Sequence, residues 1–476
     1  MDNYGVRVHE QATSRSAPLV TQTGVPFFIG IAPVQCAQSP APVNEHVLCR
    51  SFDEAVEKLG FVDFDADDGG WKYNLCECMY SHFVLYGRQP AIFCNLLDVK
   101  SMTTTVPATD FPVVERKILL PIEVVDDSLV VKATGDGTEL VKDSDYGTYY
   151  SGGNLVVEIL PSGTAYYALS LNIEYSAIDV NSISDAVVAA GMQNIDKCQT
   201  VMGIAPDSIC SPGYSKSPVV ASIMAIKAAG INGIFKAKAL IDIDASLLAN
   251  THNAAINLKK SYYLVDENQI ACWPMLKTDG RIFHISTQLA GLIAEVDAGN
   301  NGCPYESPSN KPLRCDAIVL GSGSPISLTL EQANELRGQG IVTALSFMGE
   351  IQSWGSYTAC YPSNNDPKDK FIPVSRMFDW VENTVIKTFW KKIDKPMTSR
   401  FKGSIVDICN IWLNGIVSAG YLLGARVEVR PDENPEENIE AGIIRVHIFI
   451  TPPSPAQEMH FVFEYYPAFA ALAFAA

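Results

Sequence analysis

Positive charge is scarce in this chain. In 476 residues, 35 Lys and Arg face 53 Asp and Glu, a formal net charge of −18. Wrapping nucleic acid needs a basic surface, and so does settling on an anionic membrane; both are disfavoured, local basic patches apart. No apolar run reaches the roughly 20 residues that span a bilayer, and the apolar residues 468–476 are far too few. No apolar stretch preceded by Lys or Arg stands near the start, so no secretory signal is expected. Three catalytic signatures are missing: the GxxxxGK[ST] phosphate loop, the GxSxG nucleophile turn and the HExxH pair. Paired CxxC knuckles are missing too. The 12 cysteines are scattered, with Cys76/Cys78 and Cys303/Cys315 the only tempting spacings. Thiols distributed in this way, without a secretory signal, read as reduced and mostly buried rather than as a disulfide framework or a zinc site. Neither a metal nor a cofactor is expected.

What is present is a globular composition, 47% hydrophobic and 18% charged. A chain of this length exceeds one core and implies about two to four domains. Near the start Tyr4, Val6 and Val8 alternate with Gly5, Arg7 and His9, the period-two pattern of a half-buried strand. Residues 11–17 are polar and aperiodic. A short strand on such a linker is not stable alone. It pairs either with its own body, as an edge strand, or with another copy.

Residues 21–100 read as α/β. The apolar run 24–31 suits a strand buried on both faces. Ser51 precedes a short amphipathic helix, 52–59, with early acids. A second helix is expected over 74–86 and a second buried strand over 90–97. Residues 101–177 differ: Thr, Val, Tyr and Gly dominate, and short alternating runs at 129–132, 154–160 and 165–173 are broken by turns. That is a small antiparallel all-β insert. Strand–helix alternation returns over 178–355. Helices are expected at 179–197, 217–229, 245–260 and 330–337, and strands at 199–205, 237–243, 316–320 and 341–347. A mainly parallel sheet covered on both faces follows.

The last part, 356–457, is expected to be two long helices followed by strands. Ser375 is positioned to cap a helix that runs to residue 395 and stops before Pro396. Phe378, Val381, Val385, Phe389 and Ile393 would share one face. A second helix spans 401–422. Strands follow at 426–430 and 443–450, separated by an acidic loop, and a last strand lies at 458–466 within a terminal arm, 458–476.

Candidate chemistry is thin. Residues 321–324 form a Gly/Ser turn after a strand; it is able to touch an anion, but the rest of a dinucleotide fingerprint is absent and a plain turn is the better reading. Asp242 and Asp244 end a strand, where they either bind a divalent ion or cap the following helix; capping is favoured because no further acids gather. The histidines are dispersed, and His9, His447 and His460 fall on strands. Ser, His and Asp are all present, so a triad is not excluded by inventory; geometry alone identifies one. The lysines Lys387, Lys391, Lys392 and Lys395 are either a solvated helix end or a dock for an acidic partner.

Several segments together resemble contractile tail sheath proteins of phages, R-type bacteriocins and related injection systems. Residues 4–10 resemble the family's PGVYVEE opening. Residues 286–297 with 305–310 are similar to its VAGL and SPAN segment, residues 330–341 to its LN..GIN element, and 353–357 to its WGART segment. Residues 376–466 follow its C-terminal layout, including 420–424, 442–445 and 452–458. The chain departs from the pattern at 354–357, which lacks the Arg-Thr, and at Trp380.

The resemblance implies a subtilisin-like, doubly wound α/β core without a working protease site, an inserted β-sandwich-like domain, and an α+β C-terminal domain with swapped terminal strands. Carried over by position, the arm strand holds Tyr4, Val6 and Val8. The receiving strand holds Ile444, Val446 and Ile448, and the terminal strand Phe461, Phe463 and Tyr465. The expected partners are further copies in a helical homopolymer of stacked rings, an inner tail tube that the lysines would touch, and baseplate and tail terminator proteins, with no nucleic acid and no membrane insertion. The expected role is to polymerise around the tube and contract to drive it through a target envelope, without an enzymatic step, in a particle assembled in the bacterial cytoplasm. Two other readings stay open: a subtilisin-like serine hydrolase, and a capsid or surface-layer protein.

Overall fold

The computed structural model describes residues 18–467 and 469, except 68, 135 and 136. The expected arm strand with Tyr4, Val6 and Val8 therefore lies outside the described residues.

The largest sheet has eight strands. In spatial order they are Glu350–Trp354, Ile341–Phe347, Gln269–Cys272, Lys238–Asp242, Ser208–Cys210, Pro26–Gly30, Ala91–Asn95 and His46–Cys49. The six inner strands pair in parallel. The two outermost pairings are antiparallel. Every residue of Pro26–Gly30, Lys238–Asp242 and Gln269–Cys272 is buried. This is why those segments are not alternating: helices cover both faces of a parallel sheet. Helix α1, Ile285–Gly299, is almost wholly buried beneath it. Helix α2, Leu330–Arg337, carries a reciprocal cap between Thr329 and Gln332.

Several element boundaries differ from expectation. Residues 199–205 do not form a strand: Cys198–Met202 is helical, Gly203 turns the chain with φ 72°, and the strand is Ser208–Cys210. The segment 179–197 is broken into Asp185–Gly191 flanked by 3₁₀ turns. The helix expected from 245 starts at His252, because Thr251 accepts from the Ala254 N–H and supplies the cap there. Asn74–Met79 continues as a π-helical turn over Tyr80–Leu85.

Residues 103–178 fold into two three-stranded antiparallel sheets. One holds Thr103–Pro112, Ser170–Ile178 and Val130–Ala133; the other holds Lys117–Pro121, Asn154–Ile159 and Tyr146–Ser151. They enclose a core of their own, with Leu120, Val131, Leu155, Val157 and Ile173 at its centre. The strand expected over 165–173 begins only at Ser170, since 162–167 are turns.

Helices α3, Ile372–Phe389, and α4, Ser399–Ser418, pack with strands β1, Gly424–Glu428, and β2, His447–Thr451, around a third cluster that includes Met377, Trp380, Val381, Leu413 and Val427. Ser375 is not the cap of α3. The helix starts three residues earlier, with Pro373 in its first turn, where the fixed φ of proline suits helix entry. It ends at Phe389 and tightens to a 3₁₀ turn over Trp390–Lys392, which leaves Ile393 exposed rather than on the buried face. Ile444 and Val446 precede β2 instead of lying within it. No strand forms at 458–466. All 12 cysteines are free thiols, most of them buried.

Candidate functional site

The first described residues run along α3. The Trp380 Nε1–H donates to Thr21 O (3.0 Å), the Thr21 N–H to Thr384 Oγ1 (3.2 Å) and the Leu19 N–H to Thr388 Oγ1 (3.0 Å). The chain thus enters beside the C-terminal end of α3. Arg376 locks this arrangement from below. Its guanidinium is bidentate to Asp297 of α1 (3.0 and 2.5 Å) and reaches Asp207 (3.1 Å). Asp207 in turn accepts from the N–H groups of Gly24 and Val25 at 2.9 and 3.0 Å. Lys238, fully buried, pairs with Asp379 one turn further along α3 (2.9 Å).

The sheet of β1 and β2 has one covered and one open edge. On β1, the Val427 N–H donates to Asn410 Oδ1 of α4 (3.1 Å). Strand β2 pairs only with β1 among the described residues. Ile444, Val446, Ile448 and Ile450 alternate as half-buried positions, and Val446, Ile448 and Ile450 pack against the third core although the ladder covers only part of the run. On the opposite face Arg426 and Arg430 lie over the Phe449 ring.

Residues 458–466 belong to no strand and are exposed. Phe461 is 76% exposed, Phe463 93% and Tyr465 87%. Alternating aromatic residues left in water are what a strand lacking its sheet looks like, because a lone strand has no partner for its backbone or its apolar face.

Lys387, Lys391 and Lys392 do not share one surface. Lys387 and Lys391 border a groove of 440 Å³ floored by Leu19, Ile234, Phe235, Ile386 and Trp390. Lys392 instead turns toward α4, over the Phe389 ring and 3.4 Å from Ser404 Oγ. Burial lowers the pKa of Lys387; for Lys392 burial does the same, helped by the Lys395 charge.

At the carboxyl end of strand Lys238–Asp242 a Ser, a His and an Asp lie near one another, in an arrangement unlike a triad. Buried Asp242 accepts directly from Ser286 Oγ (2.5 Å), Ser215 Oγ (3.2 Å) and the Ser286 N–H (3.2 Å). His284 is held elsewhere: its Nδ1 lies 2.9 Å from Glu77 Oε2, and Glu77 also accepts from Thr287 Oγ1 (2.9 Å). Burial pulls the His284 pKa down, but the charge and hydrogen bond of Glu77 outweigh it and raise it to about 9. Ser286 therefore donates directly to the carboxylate, with no imidazole between them, so the Ser–His–Asp order of a triad is not formed, and the serine is fully buried. Asp244 accepts from the Ser246 N–H in a local turn. In the 321–324 turn, the Gly321 and Gly323 N–H groups are already donated to Ala245 O and Leu320 O. Among the described residues no three His, Cys, Asp or Glu side chains gather as metal ligands, and no helix is long and apolar enough to cross a membrane.

Sequence reasoning overlooked the Arg376–Asp297–Asp207 knot and the Asn410 contact. Their members stand far apart in the chain, and no local spacing marks them.

A mixed α/β body, a separate β unit and a two-helix module with an open strand edge describe a subunit built for assembly. Comparison with known proteins says which kind. No family model matches the chain. It is 24% identical over 483 residues to the tail sheath protein of Burkholderia phage BcepMu, spanning 96% of this chain and 95% of that one. It is 20% identical over 278 residues to the tail sheath protein of Escherichia phage P2, spanning 56% and 65% of the two chains. Among solved structures it is similar to the sheath complex of the extracellular contractile injection system PVC in the contracted state, with a TM-score of 0.58, 14% identity and 98% and 99% of the two chains covered. It is equally similar to the contracted helical sheath of the anti-feeding prophage, with a TM-score of 0.58, 15% identity and the same coverage. The chain is similar to tail sheath proteins along nearly its whole length. Its role is that of a contractile tail sheath subunit, a component of a phage tail or tail-like particle.

Proposed function

We propose that this subunit polymerises helically around an inner tube by lending its terminal strands to neighbouring copies, and that repacking of the bodies drives the tube through a target envelope. One observation carries the reading: the open edge of β2 stands in a chain whose own last apolar strand, 458–466, has no sheet. Backbone hydrogen bonds to an exposed edge give affinity, and alternating side chains give specificity. Each net hydrogen bond contributes only about 1 kcal/mol, so one strand holds weakly and a mesh of them holds firmly. Ile444, Val446 and Ile448 would receive, Phe461, Phe463 and Tyr465 would be given, and Tyr4, Val6 and Val8 would form the second donated strand. A head-to-tail contact that does not close on itself propagates as a helix.

In this reading the α/β body is a subtilisin-like scaffold without catalysis, residues 101–177 are a decoration, 356–457 are the docking module, and 1–20 and 458–476 are arms. The buried Ser286–Asp242 pair supports the non-enzymatic role. Lys387, Lys391, Lys392 and Lys395 would touch the tube, and baseplate and terminator proteins would close the ends. Assembly would take place in the bacterial cytoplasm, with no nucleotide consumed.

Electron microscopy of the full chain, the chain lacking residues 1–15 and the chain ending at Gln457 tests this. Hollow tubes from the full chain and none from either truncation are expected. Tubes from both truncations refute strand exchange, and closed shells or flat sheets point to a capsid or surface-layer protein. Labelling by a serine-directed covalent probe would restore the hydrolase reading.

A further inference from the structure

Residues 452–457 connect β2 to the large α/β body rather than ending in solvent. Three of the six are proline, Pro452, Pro453 and Pro455, which stiffen an extended chain. Pro452 is buried. At the other end, Gln457 Oε1 accepts from Arg337 at the end of α2 and from Ser356 Oγ (3.3 Å). Arg337 is itself held, 5.0 Å above the Tyr357 ring. Met459 still borders the adjoining cleft with Leu330, Phe347 and Trp354, and residues 460–467 are exposed.

We propose that 452–457 is a rigid strap, latched by Gln457 onto Arg337 and Ser356, that roots the C-terminal arm on the α/β body and sets which face of 458–466 a neighbouring copy meets. The second half of this statement rests on the strand-exchange reading; the latch itself does not. Because side chains alternate across a strand, Phe461, Phe463 and Tyr465 share one face; a fixed root sets which way that face points, and a slip of one residue turns all of them over. The strap also makes the arm move with the body and not with the two-stranded sheet from which it emerges.

Two measurements test this on the full chain. A glutamate-specific protease has two sites in the tail, after Glu458 beside the latch and after Glu464 beyond it. Cleavage after Glu458 requires Gln457 to enter the protease. In the native chain it is expected to run about fivefold slower than cleavage after Glu464, the population shift of one net hydrogen bond. Gln457→Ala should close that gap and leave the Glu464 site unchanged. Equal rates in the native chain, or no response to Gln457→Ala, overturn the latch. The second measurement inserts one or two glycines after Gln457 and counts tubes by electron microscopy. One glycine is expected to suppress tubes and two to restore them, by parity. Identical behaviour of the two insertions overturns the role in setting the face. If tubes form even when the chain ends at Gln457, the C-terminal strand is not exchanged and the face-setting role falls with it, while the protease rates still decide the latch.

Discussion

Replacing Arg376 with methionine isolates the contact that ties α3 to the body. Arg376 is 5% exposed and Asp297 1%, so neither charge has water to fall back on. At a separation near 3 Å and an effective dielectric near 20, their attraction is about 5 kcal/mol. Desolvation cancels much of that, so the pair as a whole adds little; breaking it is another matter. Arg376→Met keeps most of the side-chain volume and leaves Asp297 buried and unpaired, which should cost about 3–5 kcal/mol. Asp207 suffers less, since it keeps the Gly24 and Val25 N–H groups. Adding Asp297→Asn removes the orphaned charge, so the double variant should be more stable than Arg376→Met alone. Urea unfolding of the native chain, the two single variants and the double variant closes the cycle. A loss below about 1 kcal/mol for Arg376→Met would refute the account of a buried, charge-balanced knot. So would losses that simply add in the double variant.

The Glu77–His284 pair predicts a pH dependence. The folded-state pKa of His284 is about 9 against an ordinary 6.5, so the pair's stabilisation is fully present below pH 6.5 and disappears as pH rises through about 9. The contribution is of order 3 kcal/mol, and the fall in melting temperature between pH 7 and 10 should be shallower in His284→Gln than in the native chain. A Cβ added at Gly291 on α1 would stand 2.4 Å from the Tyr86 ring. Gly291→Ala should therefore destabilise by about 1–3 kcal/mol despite the helix-propensity gain, measured by the denaturant midpoint. Asn410→Ala frees the Val427 N–H, so it should lower stability by about 1 kcal/mol and open a second edge on β1, seen as increased aggregation of the isolated subunit by light scattering.

The apolar runs at 24–31 and 90–97 announced strands buried on both faces, because a parallel sheet leaves no polar side to alternate with. The β unit was equally legible, since turn residues punctuate its strands. Errors fell where a local signal competed with packing. Residues 199–205 have strand-like composition, yet Gly203 stops a helix there. Ser375 reads as a cap, yet Pro373 begins α3 before it. The four lysines look like one patch along the chain, but the 3₁₀ turn after Phe389 sends Lys392 toward α4 and leaves Lys387 and Lys391 at the groove.

By itself the sequence determined the mixed α/β character of the fold and the likeness to tail sheath proteins, because periodicity and ordered motifs are written in neighbouring residues. Tertiary structure alone decided which edge is open, how Arg376 is neutralised, that Ser286 meets Asp242 with no histidine between, and where the C-terminal arm is rooted. Each of those depends on residues brought together across tens to hundreds of positions, and distance along a chain carries no record of proximity in space.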